Sequence, residues 1–386
     1  MPVTGTVLAV NPGSSSLKAH LVDLAGETVL DSVSTEHQPT EDETNAALDE
    51  LHRRGGEPAA VGYRLVHGGP DVRQPTPVDD RVVERVRRAE SLAPMHMPRA
   101  LSLLDTVRGR LPETPHVVCP DTAFHIGLPD AVSTYPLPHE WRDRWDLRRY
   151  GFHGLSYAWA LRRAAGLLGR ERDDTQVVLA HLGGGCSVCA VRDGTSVDTS
   201  MGLTPLEGVP MTTRSGSVDP GMLVWLLRHT ELGVDELADG LERHSGLLGL
   251  SGERSADTRD LVRASRDGDG PAELAMRVFG RLIAREVAAV ASGLDRIDAL
   301  VFTGEIGWDQ PEVREDVCAN LGILGISGGL RGNRDQDGPV SDPRARVPVL
   351  VVRPREELQI AADTASAISL VTNTPHRETR QPLGER

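Results

Sequence analysis

Three short apolar runs, each closing on small residues, set the frame of this chain. The first is Val7-Leu-Ala-Val-Asn-Pro-Gly-Ser-Ser-Ser-Leu-Lys18. It predicts a buried strand, a small-residue turn and a second strand reaching Val22. The second, Val177-Val-Leu-Ala-His-Leu-Gly-Gly-Gly-Cys-Ser-Val-Cys-Ala-Val191, repeats that layout of strand, Gly183–Gly185 loop and strand. The third, Ile297 to Thr303, runs into Gly304-Glu-Ile-Gly307. Two matching hairpins suggest an internal duplication, each half offering a loop to a phosphate. Three buried strands ending in Gly-rich loops predict an α/β protein of two lobes with ligands held between them.

Helical periodicity separates the strands. It is clearest over Ala272 to Leu294, where Glu273, Arg277, Arg281 and Arg285 recur every four residues. Ala275, Val278, Phe279, Leu282, Ile283, Val287 and Val290 fall largely on the other side. Shorter helices are predicted over Asp80–Leu92 and Gly154–Leu168, and a last one over Glu356–Val371, with two carboxylates in its first turn. Residues 327–342 read as an exposed loop and 373–386 as a frayed polar tail.

Composition narrows the function. A chain of 386 residues suits two domains, and 3% aromatic content leaves the core to Val, Leu, Ile and Ala. A net charge of −14 argues against nucleic acid or an acidic membrane as partner. An anionic substrate would need local arginine clusters to overcome that field. No apolar stretch approaches the roughly 20 residues that span a bilayer, and no basic segment precedes an apolar run near Met1. The cytoplasm is the expected location. Cys186 and Cys189 have C-x-x-C spacing, but residues three apart on a strand face opposite ways, which argues against a metal or redox pair.

Lys18 is the one lysine among 42 Lys and Arg residues. A compact ammonium at the exit of a Gly-Ser-Ser-Ser turn would add a point charge to a ring of backbone N–H groups aimed at an anion. The bland alternative is a solvated lysine on an ordinary hairpin. Further polar clusters lie in apolar or Gly-rich surroundings: Tyr63–Gly69, Asp121–His125, Arg148–Gly154 and Thr212–Gly216. Their arginines suit bidentate binding of carboxylate and phosphate oxygens.

These segments together resemble the acetate and propionate kinase family. The likeness runs from Val7 to about Thr364. It rests on Asn11-Pro-Gly-Ser-Ser-Ser-Leu-Lys18, Arg64-Leu-Val-His-Gly-Gly69, Ala93-Pro-Met-His96, Asp121-Thr-Ala-Phe-His125 and Arg149-Tyr-Gly-Phe-His-Gly154. It continues through His181-Leu-Gly-Gly-Gly185, Ser196–Gly202, Thr204-Pro-Leu-Glu-Gly208, Thr213-Arg-Ser-Gly216, Ser245–Ser251 and Phe302-Thr-Gly304. The resemblance implies an actin-like, sugar-kinase-like (ribonuclease H-like) fold of two related lobes. One lobe would be 1–122, joined by a C-terminal helix at about 357–372, and the other 123–356. It implies reversible phosphoryl transfer from ATP to acetate, giving acetyl phosphate and ADP. Mg²⁺ would be the metal, with Mn²⁺ as the alternative, and the assembly a homodimer.

Carried over by position, Asn11 and Glu356 would hold the metal, with Glu357 as Glu356's rival. Ser14, Ser16 and Lys18 would touch phosphates, as would His181 and Gly183, Gly184 and Gly185. Arg64 and Arg214 would grip the carboxylate and the phosphoryl group in flight, His153 would donate to it, and Asp121 would orient and balance charge. His96 matches a further motif. Val66, Met95, Phe152 and Pro205 would line the acyl pocket, which sequence cannot assign to acetate over propionate. Asp257, Thr258 and Arg259, with Gly304, Glu305, Ile306, Gly307, Trp308 and Asp309, would lie along the nucleoside.

Departures from the family pattern gather on the nucleotide side. Glu305 stands for a glycine and Trp308 for a glutamate, where it would stack on a base or block its pocket. Gly184 stands for an asparagine and Tyr157 for a histidine. Met97 and Pro120 also differ. These changes predict altered donor use: weaker ATP binding, another nucleoside triphosphate, or pyrophosphate. A kinase for a longer carboxylate and a non-catalytic nucleotide-binding regulator are the other readings.

Overall fold

The computed structural model describes residues 4–13, 17–35, 37, 40–333 and 335–373, with side chains to Leu370. Ser14 and Ser16 and the predicted tail beyond Asn373 lie outside the described residues.

Two six-stranded sheets share one plan. The first holds β1 (Thr6–Pro12), β2 (Leu17–Asp23), β3 (Thr28–Ser34), β4 (Ala60–Leu65), β5 (Thr76–Pro77) and β6 (His116–Pro120), in the order β3-β2-β1-β4-β6-β5. The second holds β7 (Gln176–Leu182), β8 (Cys186–Arg192), β9 (Thr195–Thr199), β10 (Ala299–Thr303), β11 (Gly338–Pro339) and β12 (Val349–Val351), in the order β9-β8-β7-β10-β12-β11. In each, three antiparallel strands are followed by two parallel ones and a short antiparallel edge. Both sheets even carry a register shift at the corresponding place, between Leu21 and Val22 and between Ala190 and Val191. The expected duplicated, two-lobed α/β fold is therefore present.

Burial explains why the central strands read as unbroken apolar runs. Both faces of β1 and β7 are covered. Val7 and Ala9 join Val177 and Leu179 in one core with Leu155, Ala160 and Leu161 of the helix Gly154–Leu168 and Ile360 and Ala361 of the helix Glu356–Asn373. Leu8 and Val10, pointing the other way, join a second core that includes Val178 and Ala180. Cys186 and Cys189 fall in different cores, as strand alternation requires, and all four cysteines are free and buried.

The predicted helices appear with adjusted ends. Gly270–Ala291 buries Ala275, Phe279, Ile283, Val287 and Val290 and exposes Arg277, Arg281 and Arg285. Asp79 caps Asp80–Arg88, and a short 3₁₀ turn, Glu90–Leu92, follows. The described residues of the 327–342 segment are loop except for β11. Among the described residues no helix is long and apolar enough to cross a membrane.

Candidate active site

In an open α/β sheet, ligands bind beyond the carboxyl ends of parallel strands. Here those ends are adjacent. Asn11 near the end of β1, Arg64 near the end of β4 and Asp121 just after β6 emerge side by side, since Val10 pairs with Tyr63 and Arg64 with Cys119. From the other sheet come His181 on β7, Gly304 after β10, and Glu356 opening its helix beyond β12. Between the two edges lies a cavity of about 420 Å³. Its wall includes Asn11, Lys18, Arg64, His96, Asp121, His153, His181, Gly183–Gly185, Arg214, Gly304, Glu305 and Glu356. Val66, Phe152 and Pro205 supply the apolar part.

Arg64 is the hub. Its Nε and Nη2 donate to Asp121 Oδ2 at 3.0 and 2.8 Å, and Nη1 donates to Asn11 Oδ1 at 3.1 Å. Nη1 also lies 3.4 Å from Glu356 Oε2, which accepts from Asn11 Nδ2 at 2.8 Å. One guanidinium thus serves two carboxylates. Burial opposes its charge, but Asp121 and Glu356 outweigh that and raise its pKa. Burial dominates at Asp121 and pushes its carboxyl up to about 6, against the pull of Arg64. At Glu356 burial is again the largest influence, but Arg64, His181, Asn11 and Lys18 together hold its carboxyl below the usual value. Asp121 Oδ1 is buried without a hydrogen-bond partner, although the nearby Leu155 backbone N–H favours the ionised carboxyl.

The histidines are neutral at pH 7. Burial, then the charge of neighbouring groups, lowers His153 well below its ordinary value and His96 to about 3; at His181 burial outweighs the opposing charges of Glu356 and Glu305 and lowers it to about 4. His153 stacks on His181 at 4.1 Å between ring centroids. Its Nδ1 is 2.8 Å from Ser187 Oγ, which also bonds Tyr157 Oη. His181 Nδ1 meets Ser156 Oγ at 2.8 Å. His153 itself sits at φ +59°, a left-handed conformation uncommon for a non-glycine residue and one often found at functional sites. Arg214 Nη2 lies 3.3 Å from His96 Nε2 across the cleft.

Two glycines are set by close approach. A Cβ on Gly185 would lie 2.9 Å from His153 Nε2. Gly304 has φ +79° and its Cβ would lie 2.4 Å from the Leu182 carbonyl oxygen. Both keep backbone close to the cavity.

Some expected residues stand apart. Met95, half-buried, is not in the cavity wall; it precedes the inward-facing His96, and its Sδ lies 3.0 Å from Arg243 Nη2. Ile306, Gly307, Trp308 and Asp309 form the short helix Gly304–Asp309 outside that wall, and Trp308 packs partly against the core. Trp308 therefore does not fill this cavity. Asp257 caps the helix Thr258–Arg266, accepting from the Arg259 N–H at 2.7 Å. Arg259 Nη2 reaches Asp309 at 2.8 Å, joining these two segments into a patch beside the cavity.

Other positions gain a role that sequence had not given them. Tyr157 is fully buried and tethers Ser187, which tethers His153. Ser187 pairs with His181 across β7 and β8 as Lys18 pairs with Asn11 across β1 and β2. The duplicated hairpin was the signal that could have found it. Met97 is fully buried in the first turn of the helix Met97–Arg110, so its departure serves the core.

Residues 36–362 match the Acetokinase family. An acetate kinase of Clavibacter sepedonicus is 41% identical, over 95% of this chain and 99% of that protein. An acetate kinase of Thermotoga maritima is 36% identical over 95% and 99%. Among solved structures, the acetate kinase of Porphyromonas gingivalis aligns with a TM-score of 0.85 at 32% identity, covering 95% of this chain and all of that one. A propionate kinase from Francisella tularensis aligns with a TM-score of 0.86 at 30% identity, covering 94% of this chain and all of that one.

Proposed function

This chain belongs to the acetokinase family, and from that premise we propose that it is an acetate kinase, forming acetyl phosphate and ADP reversibly from acetate and ATP. The observation that carries the proposal is the Arg64 hub facing Arg214, His153, Gly13 and the Gly183–Gly185 loop across one cavity. Acetate is already ionised at neutral pH, so its attack on a phosphoryl group needs no strong base. The task is to position two anions and to neutralise charge on the group in flight.

Arg64, fixed at three nitrogens, and Arg214 supply that neutralisation. With Tyr157 donating to Ser187 and Ser187 donating to His153 Nδ1, one of the two directions these contacts allow, His153 Nε2 would be an N–H donor beside Gly185. Asp121 keeps Arg64 oriented. The Gly183–Gly185 loop and Lys18 receive the phosphate chain. Asn11 Oδ1 and the Glu356 carboxylate are adjacent hard oxygen donors, and Asp121 Oδ1 is an unpartnered oxygen close by. This set fits Mg²⁺, which takes one or two protein carboxylates or carbonyls and keeps waters and phosphate oxygens. When bound it would neutralise phosphate charge. Val66, Phe152 and Pro205 suit a short alkyl tail, and one added methylene is worth only about 1–3 kcal/mol, so propionate is the second substrate. The lobe division at about residue 122, with the Glu356–Asn373 helix returned to the first lobe, belongs to the same reading.

A homodimer is part of the proposal. The helix Pro220–His229 has none of its residues buried, and Trp225 is 55% exposed beside Met222, Val224 and Leu227. An apolar face of this kind marks a protein contact. Sedimentation should give a dimer mass, reduced to a monomer by Trp225→Glu; a monomeric wild type would remove this element.

Hydroxylamine trapping of acyl phosphate tests the activity. Acetate, propionate and butyrate are each offered with Mg²⁺ and ATP, GTP or pyrophosphate. Acetate with ATP should give the highest kcat/KM. A folded protein that forms no acyl phosphate from any pair would overturn the kinase reading in favour of a nucleotide-binding regulator. An altered phosphoryl donor is the second reading, favoured by Glu305 in the cavity wall.

A further inference from the structure

Lys18 and Glu305 face one another across the cleft. Lys18 lies in the second strand of the first hairpin, and Glu305 in the first turn after β10. Lys18 Nζ is 3.6 Å from Glu305 Oε1, and their side chains are 51% and 76% exposed. Both line the cavity. The charge of Glu305 also acts on His181 and Arg259. Its carboxylate thus stands among the polar and cationic groups of the nucleotide side. Glu305 follows Gly304, whose φ of +79° and close approach to the Leu182 carbonyl leave no room for a Cβ at the start of this turn. Among the described residues no hydrogen bond anchors the Glu305 carboxylate, and the one ion pair it makes is to Lys18.

This arrangement does little for the fold, since an ion pair so exposed holds weakly. It matters for any anion that comes to Lys18. A phosphate chain arriving there must displace the carboxylate and then remain beside its negative charge. We propose that Glu305 is a built-in competitor for Lys18: it holds the chain's only lysine ammonium across the open cleft and sets the affinity for polyphosphate. The inference rests on the reading that Lys18 receives the phosphates of the nucleotide. It differs from a contact to adenosine, because it weakens ADP and inorganic pyrophosphate alike.

Calorimetric titration of the full chain with ADP and with sodium pyrophosphate, in EDTA, tests it. Wild type, Glu305→Gln and Glu305→Asp are compared at about 50 and 300 mM NaCl, a range over which exposed charges become largely screened. Glu305→Gln should bind both probes about three- to tenfold more tightly at low salt. Its affinity should then fall more steeply with salt, so that the gap closes. Glu305→Asp, one methylene shorter, should lie between. Unchanged or weaker binding of both probes by Glu305→Gln overturns the proposal. So does a gain confined to ADP, which would place Glu305 on the nucleoside, and so does a failure of all three proteins to bind either probe. Acyl phosphate trapping remains a separate reading: a chain that makes none yet shows the gain keeps the competitor and loses the kinase. A chain that makes acyl phosphate without the gain keeps the kinase and loses the competitor.

Discussion

Arg64→Ala should lower kcat/KM for acetate at least about a thousandfold and lower the unfolding temperature at pH 8 as well. The rate loss follows from removing a donor aimed at developing charge, where one such group is worth about 10²–10³. The loss of orientation at Asn11 and Asp121 adds to it. The stability loss has a separate cause. Arg64 and Asp121 side chains are only 16% and 1% exposed, and Glu356 only 13%. Without Arg64, two buried carboxylates face each other with no guanidinium between them. Breaking a buried pair by removing one partner typically destabilises by about 3–5 kcal/mol. Part of that loss should return at pH 5, as the orphaned carboxylates take up protons. Arg64→Lys restores charge without the fork that spans Asp121 and Asn11, so it should recover stability more than rate. Thermal unfolding and hydroxamate formation, run on both variants at pH 5 and 8, check this. An Arg64→Ala protein with wild-type stability and more than a tenth of the wild-type rate would show that the hub is incidental.

That hub illustrates what the chain discloses before it folds. Lys18, Arg64, Asp121, His153 and Arg214 stand out in the sequence because each sits in a polar cluster or turn beside an apolar or Gly-rich run, whereas the family resemblance alone pointed to Asn11 and Glu356; the cavity brings all seven together. The duplicated hairpins were legible for a related reason: both faces of β1 and β7 are buried, so each reads as a continuous apolar run ending abruptly in small residues. Ser187 was legible only by analogy, as the position in the second hairpin that matches Lys18 in the first. It acquires its meaning from the strand pairing that sets it beside His181 and from Tyr157, thirty positions earlier in the sequence. Met95 failed in the opposite way. A motif gave it a neighbourhood, but the turn before the helix Met97–Arg110 directs His96 inward and leaves Met95 against Arg243. The helix Pro220–His229 also escaped prediction. It carries Met222, Leu223, Val224, Trp225, Leu226 and Leu227 in succession, so it lacks the polar face that gives a surface helix its period. The helix Glu41–Gly55 was missed despite a readable signal, the Thr40–Glu43 capping box.

Asp121→Asn should separate stability from catalysis. The carboxyl of Asp121 is raised from 3.8 to about 6, chiefly by burial. The folded protein therefore keeps this proton to a higher pH than the unfolded chain does. Stability is fully present below about pH 4 and is lost as pH rises through about 6, an amount on the order of 3 kcal/mol for a shift of this size. Glu356 works in the opposite sense: its lowered pKa gives stability above the unfolded value that is lost only in stronger acid. At pH 8, then, ionised Asp121 is a net burden on the fold that Arg64 only partly relieves. An asparagine keeps the acceptor for Arg64 and removes the buried charge. The variant should unfold at a temperature equal to or above wild type at pH 8, and should lose the fall in stability between pH 4 and 7. The gain will be smaller than the full shift, because the Leu155 backbone N–H and Arg64, which both favour the ionised carboxyl, gain less from a neutral amide. Acyl phosphate formation should nevertheless drop by about 10²-fold or more, since the neutral amide holds the Arg64 guanidinium less firmly in line with the transferred group. A variant that is less stable at pH 8 and keeps the wild-type pH slope would mean that the carboxylate charge supports Arg64 more than burial opposes it. The expected outcome, a more stable and less active protein, would mean that the site carries this buried charge for the reaction at the expense of the fold.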